Sequence, residues 1–179
     1  MSPWIEFLLE VLKLTIPGAL VLLAAYYVLK QYTESQKLMK QLDAQRELHK
    51  QTLPLKLQAY ERLSLFCERI FPPALVGRIH TGEGTASGLR AALLAGIQQE
   101  YEHNLSQQIY ISGDLWNIVR QAKNNTISLI TSAHQELPQM SSSTADDLVR
   151  AIFAKMDEQS ADSLSIAREA IRREAAIVL

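Results

Sequence analysis

Nineteen consecutive residues near the N-terminus, Val11–Leu29, carry a single charge, on Lys13, and read VLKLTIPGALVLLAAYYVL. A helix of this length rises about 28 Å, close to the ~30 Å hydrocarbon core of a bilayer. The eight Leu, Ile and Val residues from Leu14 to Leu29 favour insertion by roughly 2.5–5 kcal/mol in total. The run predicts one transmembrane helix over about residues 11–29, which restricts the remaining chain to a fold tethered at one membrane surface.

The residues around this run are typical of a membrane anchor, which we place at residues 1–32. Trp4 on one side and Tyr26 and Tyr27 on the other suit the two membrane interfaces. Lys13 lies near enough to the end of the run for its ammonium group to reach the lipid headgroups. Membrane lipid is therefore the first predicted partner.

Two features inside the predicted span concern its shape and its contacts. Pro17 removes one backbone hydrogen bond, which predicts a kink. Gly18 and Ala25 lie seven residues apart and form a stripe of small side chains, which permits the close approach of another helix.

Two other interpretations of the run fit less well. A buried core helix of a soluble protein seldom contains an apolar run this long with so few charges. A cleaved signal peptide needs a basic region before the apolar run and a small-residue cleavage site after it. Here Glu6 and Glu10 precede the run, and no convincing cleavage site follows.

The distribution of Lys and Arg predicts the orientation of the anchor. Lys13 is alone on the N-terminal side, whereas Lys30, Lys37, Lys40 and Arg46 follow the run. The positive-inside rule then places the N-terminus outside and the C-terminal part in the cytoplasm. The single cysteine excludes an intrachain disulfide, as expected in a reducing compartment.

Beyond the anchor, we expect a polar helical stalk over residues 33–52 and a helical bundle over 53–179. In the stalk, Met39 and Leu42 fit a heptad pattern for about two repeats, which leaves a coiled coil open. The formal net charge is −1, which does not favour nucleic acid as a partner.

Apolar residues recur at helical spacing through residues 53–179, and this predicts an all-α fold of four or five helices behind the membrane helix. Leu53-Pro54 is expected to break or restart the helix that continues from the stalk. The other expected helices are a short one over 74–80, one from Ser87 to Gln107 or Gln108, one from Ser112 to Leu137, and a last one from about Thr144.

Capping residues support these boundaries. We expect Ser87 and Ser112 to be N-caps, and Ser143 and Asp146 to form a capping box. The last helix could continue to the end of the chain or bend near Ser160. Cys67 lies on an apolar helical face, and we interpret it as a core residue.

Three segments resemble an uncharacterised bacterial family. They are LPLKLQAYERLSLFCERI at Leu53–Ile70, EYEHNLSQQIYIS at Glu100–Ser112, and the following Trp116. Members of that family have one N-terminal membrane helix and a helical cytoplasmic domain of about this size. The resemblance implies that architecture, located in a bacterial inner membrane, and no activity.

A dense polar segment is the candidate site for interaction with a partner. Its residues combine hydrogen-bonding side chains with two tyrosines: Tyr101, His103, Asn104, Gln107, Gln108 and Tyr110. Glu100 and His103 also form the E-x-x-H spacing that di-iron bundles use twice, together with two further glutamates. One copy of this motif is weak support for a metal site, so no metal or other cofactor is predicted.

The sequence contains no convergent set of catalytic residues. We therefore expect a non-enzymatic membrane protein that acts in assembly or scaffolding and associates with itself, without a small-molecule substrate. One alternative is an accessory subunit of a larger secretion, transport or energy-coupling complex in the envelope. The other is a metal-dependent enzyme that uses Glu100 and His103.

Overall fold

A computed structural model of the chain describes residues 3–138, 142–158 and 162–179, which form six α-helices and one short 3₁₀ turn. The elements are α1 (Pro3–Ile70), α2 (Pro72–Ile79), α3 (Ala86–Asn104), the 3₁₀ turn (Leu105–Ile109), α4 (Gly113–Gln135), α5 (Ala145–Glu158) and α6 (Ser163–Val178). These ranges contain no β-strand, so the predicted all-α fold is confirmed.

The chain divides into two compact units, one ending at Gln51 and the other comprising Thr52–Leu179. The first unit is the N-terminal part of α1, which is long and apolar enough to cross a membrane. Every side chain described in it is exposed to solvent, including all of its most apolar 18-residue window. Among the described residues, this apolar surface is therefore exposed.

The predicted helix break at Leu53 and Pro54 is wrong, because α1 continues through both residues. Pro54 lacks the N–H that would bond to the Lys50 carbonyl, at a cost of about 3 kcal/mol, but its fixed φ is compatible with a helix. Burial of Leu63 and Phe66 just beyond it stabilises the segment by about 1.5–3 kcal/mol each. The helix also continues through Pro17.

The second unit is a bundle in which α4 packs against α3, α5 and α6, while α3 also contacts α2 and α5. It includes the end of α1 and five further helices, one more than the largest number expected. Its core takes side chains from every helix, and the largest fully buried ones include Leu63, Phe66, Leu75, Leu93, Ile97, Ile130, Leu148, Ile152 and Leu164. Cys67 is fully buried among them, as predicted.

The N-cap of α4 is Ser112, as predicted, but two other caps differ from the expectation. The N-cap of α3 is Thr85 instead of Ser87, because the Thr85 hydroxyl accepts a 3.1 Å hydrogen bond from the Gly88 amide. The capping box of α5 is formed by Thr144 and Asp147, one residue later than expected.

A pair of backbone hydrogen bonds explains the shift in both caps. The Ala86 amide donates to the Ser143 carbonyl, and the Ala145 amide donates to the Gly84 carbonyl, each at 3.0 Å. This isolated bridge aligns the starts of α3 and α5. Gly84 has a φ of 111°, which residues with a side chain rarely adopt.

The expected last helix consists of two helices, α5 and α6. Asp162 is the N-cap of α6, since its carboxylate accepts a 2.9 Å hydrogen bond from the Leu164 amide. The predicted bend at Ser160 lies outside the described residues. In α5 the fully buried apolar side chains include Leu148 and Ile152.

Candidate interaction surface

The predicted polar segment spans the end of α3 and the 3₁₀ turn, and burial divides its residues into two groups. Asn104 and Gln107 are buried, while His103 and Gln108 are exposed. The α-helix ends at Asn104, earlier than expected, and the tighter 3₁₀ turn then changes the direction of the following side chains. The six residues therefore do not form one continuous exposed patch.

The two buried amides form local hydrogen bonds. Asn104 Nδ2 donates to the Glu100 carbonyl at 2.8 Å, four residues earlier in α3. Gln107 Nε2 donates to Ser106 Oγ at 3.2 Å. The half-buried Tyr110 closes the turn, with its amide donating to the Gln107 carbonyl at 3.0 Å. These contacts stabilise the end of α3, which is a structural role.

Tyr101 connects three helices through its ring. It stacks on Trp116 of α4, with ring centroids 5.6 Å apart, and it lies 6.3 Å from the ring of Phe66 in α1. The Lys123 ammonium lies 4.3 Å from the centroid of the Tyr101 ring, a cation–π geometry. This aromatic cluster fixes α3 against α1 and α4.

Glu100 binds two arginines that the sequence pattern did not connect with it. Its carboxylate accepts hydrogen bonds from Arg69 of α1 at 3.2 Å and from Arg78 of α2 at 3.1 Å. The Glu100 side chain is 14% exposed, and the two arginine side chains are 56% and 43% exposed. The pairs connect α1, α2 and α3, but exposure of the guanidinium groups limits their contribution to stability.

This geometry bears directly on the E-x-x-H motif. In the three described ranges, no group of three or more His, Cys, Asp or Glu side chains is positioned to hold a metal ion. The Glu100 carboxylate faces two cations, where a di-iron site would place further carboxylates. His103 is exposed at the same surface.

Two shallow clefts adjoin this ion-pair cluster. One has a volume of about 310 Å³ and includes Arg62, Leu65 and Asn104 in its lining. The other has a volume of about 350 Å³ and lies next to Arg78. The two clefts are adjacent, since three residues line both of them: Arg69, Glu100 and His103. Sequence analysis found Glu100 and His103 but missed Arg69 and Arg78, because they lie 31 and 22 residues from Glu100 and no local pattern connects them with it.

A second polar cluster joins the end of the chain to the bundle. The Glu174 carboxylate in α6 accepts hydrogen bonds from the Ser112 amide at 2.8 Å, from the Ser112 hydroxyl, and from the Tyr60 hydroxyl at 3.2 Å. Burial, together with the nearby Glu174 charge, raises the pKa of Tyr60 to about 12. Glu174 also places a negative charge at the N-terminus of α4, where the helix dipole favours one.

The Cys67 thiol is chemically protected. Burial raises its pKa to about 12, although the Arg168 guanidinium opposes this shift. A thiol that remains protonated at neutral pH and has no solvent access is a poor nucleophile and a poor metal ligand. Cys67 is therefore a structural residue.

The predicted anchor residues are all exposed. Trp4, Lys13, Pro17 and Gly18 lie on the N-terminal unit of α1, as do Tyr26 and Tyr27. The rings of the two tyrosines meet edge to face, with centroids 5.9 Å apart.

Comparison with known proteins gives one match. No curated protein and no solved structure shows significant similarity to the chain. A family profile matches residues 6–178, which is nearly the whole chain and includes both units. The protein therefore belongs to the DUF7935 family, which is described as a family of unknown function.

Proposed function

We propose that this protein is a single-pass membrane protein whose C-terminal helical unit lies in the cytoplasm and acts in assembly or scaffolding, without enzymatic activity. One observation carries the proposal: the apolar segment Val11–Leu29 is helical, and each of its residues is exposed. An apolar helix without cover from its own chain needs lipid or another protein around it.

Lipid is the environment that fits this segment best. Its Leu, Ile and Val residues lie all around the helix, whereas a soluble amphipathic helix would confine them to one face. The alternative of a buried core helix has no support, because no residue of the most apolar window is buried. The orientation rests on the positive residues that follow the segment, Lys30, Lys37, Lys40 and Arg46.

We propose the absence of enzymatic activity because the polar groups of the two clefts are engaged in structural hydrogen bonds and ion pairs. Glu100 is held by two arginines, and the buried Asn104 amide bonds to backbone. A general acid or base with a perturbed pKa is the usual sign of catalysis. Within the part of the chain that the structure describes, the groups with a clearly perturbed pKa are Tyr60, Cys67 and Asp147, and all three lie outside the two clefts.

Membrane extraction and a topology reporter test the anchor. We expect the untagged chain to remain in the membrane pellet after alkaline carbonate extraction. Alkaline phosphatase, which is active only outside the cytoplasm, should be inactive when fused after Leu179. Release into the soluble fraction, or an active fusion, would contradict the proposal. A control with Leu20, Val21 and Leu22 all changed to Asp should be released, because each carboxylate costs about 2.5–3.5 kcal/mol in the membrane.

Light scattering of the detergent-extracted protein tests self-association. We expect a mass above that of the monomer at micromolar concentration. A monomer at that concentration, combined with no crosslinked species in membranes, would reject assembly with itself.

A second candidate function is that of an accessory subunit of a larger envelope complex. The observation that favours it is the pair of exposed apolar residues at the end of α6, Ile177 and Leu179, which are 84% and 81% exposed. Exposed apolar residues of this kind often contact partner proteins. Crosslinking in native membranes followed by mass spectrometry should recover a second protein linked near α6, and recovery of self-links alone would count against this function.

A further inference from the structure

We infer that two copies of this chain pair in parallel and in register along one continuous face of α1 that begins in the membrane and extends into the polar segment. This rests on the proposed membrane anchor. The face, which we call the heptad seam, contains Gly18, Val21, Ala25, Val28, Tyr32, Ser35, Met39 and Leu42.

The first line of support is the register of this face. Gly18 and Ala25 form the small-residue stripe of the apolar run, and Met39 and Leu42 fit a heptad in the polar segment. Counting in sevens from Gly18 gives Ala25, Tyr32 and Met39, so the two patterns share a single register. Together they extend over about three and a half heptads, long enough for the a and d positions of two copies to meet along one line.

The second line of support is the distribution of charge. Between Gly18 and Leu42 the charged residues are Lys30, Glu34, Lys37 and Lys40. In this register they take positions f, c, f and b, which face away from the seam. The flanking e and g positions of the same interval are uncharged. The seam is therefore free of charge where two helices would meet, and the charges of the polar segment stay in solvent.

The third line of support is Gly18 itself. A Cβ atom added there would meet no atom of the chain within 4 Å, so the fold of the chain does not require a glycine at this position. Glycine in a helix is about 1 kcal/mol less favourable than alanine. Small residues offset that cost where two membrane helices approach closely.

A second copy is the partner that this seam fits. Copies inserted in one membrane share the same orientation and depth, so their seams are parallel and aligned without further adjustment. Membrane helix pairs commonly cross at about +20°, which is also the angle of a left-handed coiled coil, so one geometry serves both environments. The seam ends where Arg46 takes the next position and pairs with Asp43 of its own helix, 3.8 Å away.

The size of the seam predicts how strongly the copies hold together. Twenty-five residues of helix rise about 37 Å, and a contact strip about 10 Å wide covers roughly 370 Å² per copy. A stable interface between soluble proteins needs about 800 Å² per partner. We therefore expect pairing in the membrane, where anchoring raises the effective concentration, and weaker pairing after dilution in detergent.

Cysteine crosslinking of the full-length protein in membrane vesicles tests the seam. Single cysteines replace the seam residues Tyr32, Ser35, Met39 and Leu42, and matched controls replace Glu34, Lys37 and Lys40 on the opposite face. Cys67 is retained in every variant, because it is buried. On mild oxidation, we expect the seam variants to form a disulfide-linked dimer at least fivefold more than the controls. Equal crosslinking at all positions, a maximum on the charged face, or adducts with a different protein would overturn the inference.

A packing change inside the membrane gives an independent test. Ala25→Leu enlarges the seam, whereas Ala19→Leu adds the same side chain at position b, away from it. In a Met39→Cys background, we expect Ala25→Leu to reduce dimer formation several-fold and Ala19→Leu to leave it unchanged. An equal effect of both changes would overturn the seam. If the protein stays in the membrane pellet, the anchor is intact and the crosslinking result concerns the seam alone. If the detergent-extracted protein has a mass above that of the monomer but lacks the expected crosslinking pattern, the protein self-associates through another surface and the seam is rejected.

Discussion

Replacing Glu174 with alanine should destabilise the C-terminal unit far more than replacing an exposed carboxylate of the same helix. The Glu174 carboxylate joins three helices, since it accepts hydrogen bonds from Tyr60 in α1 and from the Ser112 hydroxyl and amide at the start of α4. Hydrogen bonds to a charged group contribute about 1.5–3 kcal/mol each when buried. Glu174 is half-buried, so we assign about 1 kcal/mol to each bond and about 2–3 kcal/mol to the set.

Thermal unfolding of the detergent-solubilised full-length protein, followed by circular dichroism, measures this loss. A loss of 2–3 kcal/mol should lower the melting temperature of a unit of this size by about 6–15 °C. Glu174→Gln keeps one acceptor oxygen and should lose about half as much.

The matched control is Glu169→Ala in the same helix. Glu169 pairs with Arg172 at 3.5 Å and Arg173 at 3.0 Å, both within α6 and both largely exposed. Such pairs contribute about 0.3–0.5 kcal/mol each, so the melting temperature should fall by less than about 4 °C. If Glu174→Ala and Glu169→Ala destabilise the protein equally, the hydrogen bonds from Ser112 and Tyr60 do not contribute as the structure indicates.

Four further predictions concern single residues. Leu63→Ala should destabilise the bundle by about 2–5 kcal/mol in urea unfolding, because its side chain is fully buried; a loss below 1 kcal/mol would contradict this packing. Cys67 should resist maleimide labelling at pH 7.5 until denaturant is added, and rapid labelling of the folded protein would refute its burial. Tyr60 keeps its proton when folded, so its contribution to stability should be complete below pH 10 and decline from pH 10 to 12; Tyr60→Phe should remove that decline. Hydrogen bonds from Thr144 hold the pKa of Asp147 at about 2, so its contribution should be complete above pH 4 and decline towards pH 2; an unchanged acid transition in Asp147→Asn would contradict it.

Features that depend on neighbouring residues could be predicted from the sequence. The apolar periodicity predicted helices and the burial of Cys67, and the Ser112 cap followed from the residue type preferred at that position. The capping box of α5 was displaced by one residue because Ser, Ser and Thr at 142–144 are all suitable caps. The backbone bridge to Gly84 decides among them, and it joins segments about sixty residues apart.

The candidate surface could be predicted only in part, because its partners are distant in the chain. Glu100 was identified by a local motif, but its contacts with Arg69 and Arg78 lie 31 and 22 residues away. No pattern within α3 indicates which cations face it. The same holds for Glu174, whose contacts with Ser112 and Tyr60 lie 62 and 114 residues away.

The amino-acid sequence by itself determined that this chain is helical and that one helix near its N-terminus is apolar over about the thickness of a bilayer, because helical periodicity and side-chain transfer energies act over a few turns. Tertiary structure alone decided that α1 continues through Pro54, since burial of residues beyond the proline outweighs one lost hydrogen bond. It also decided which charges are paired, because the position of a carboxylate relative to a guanidinium on another helix depends on how the helices pack.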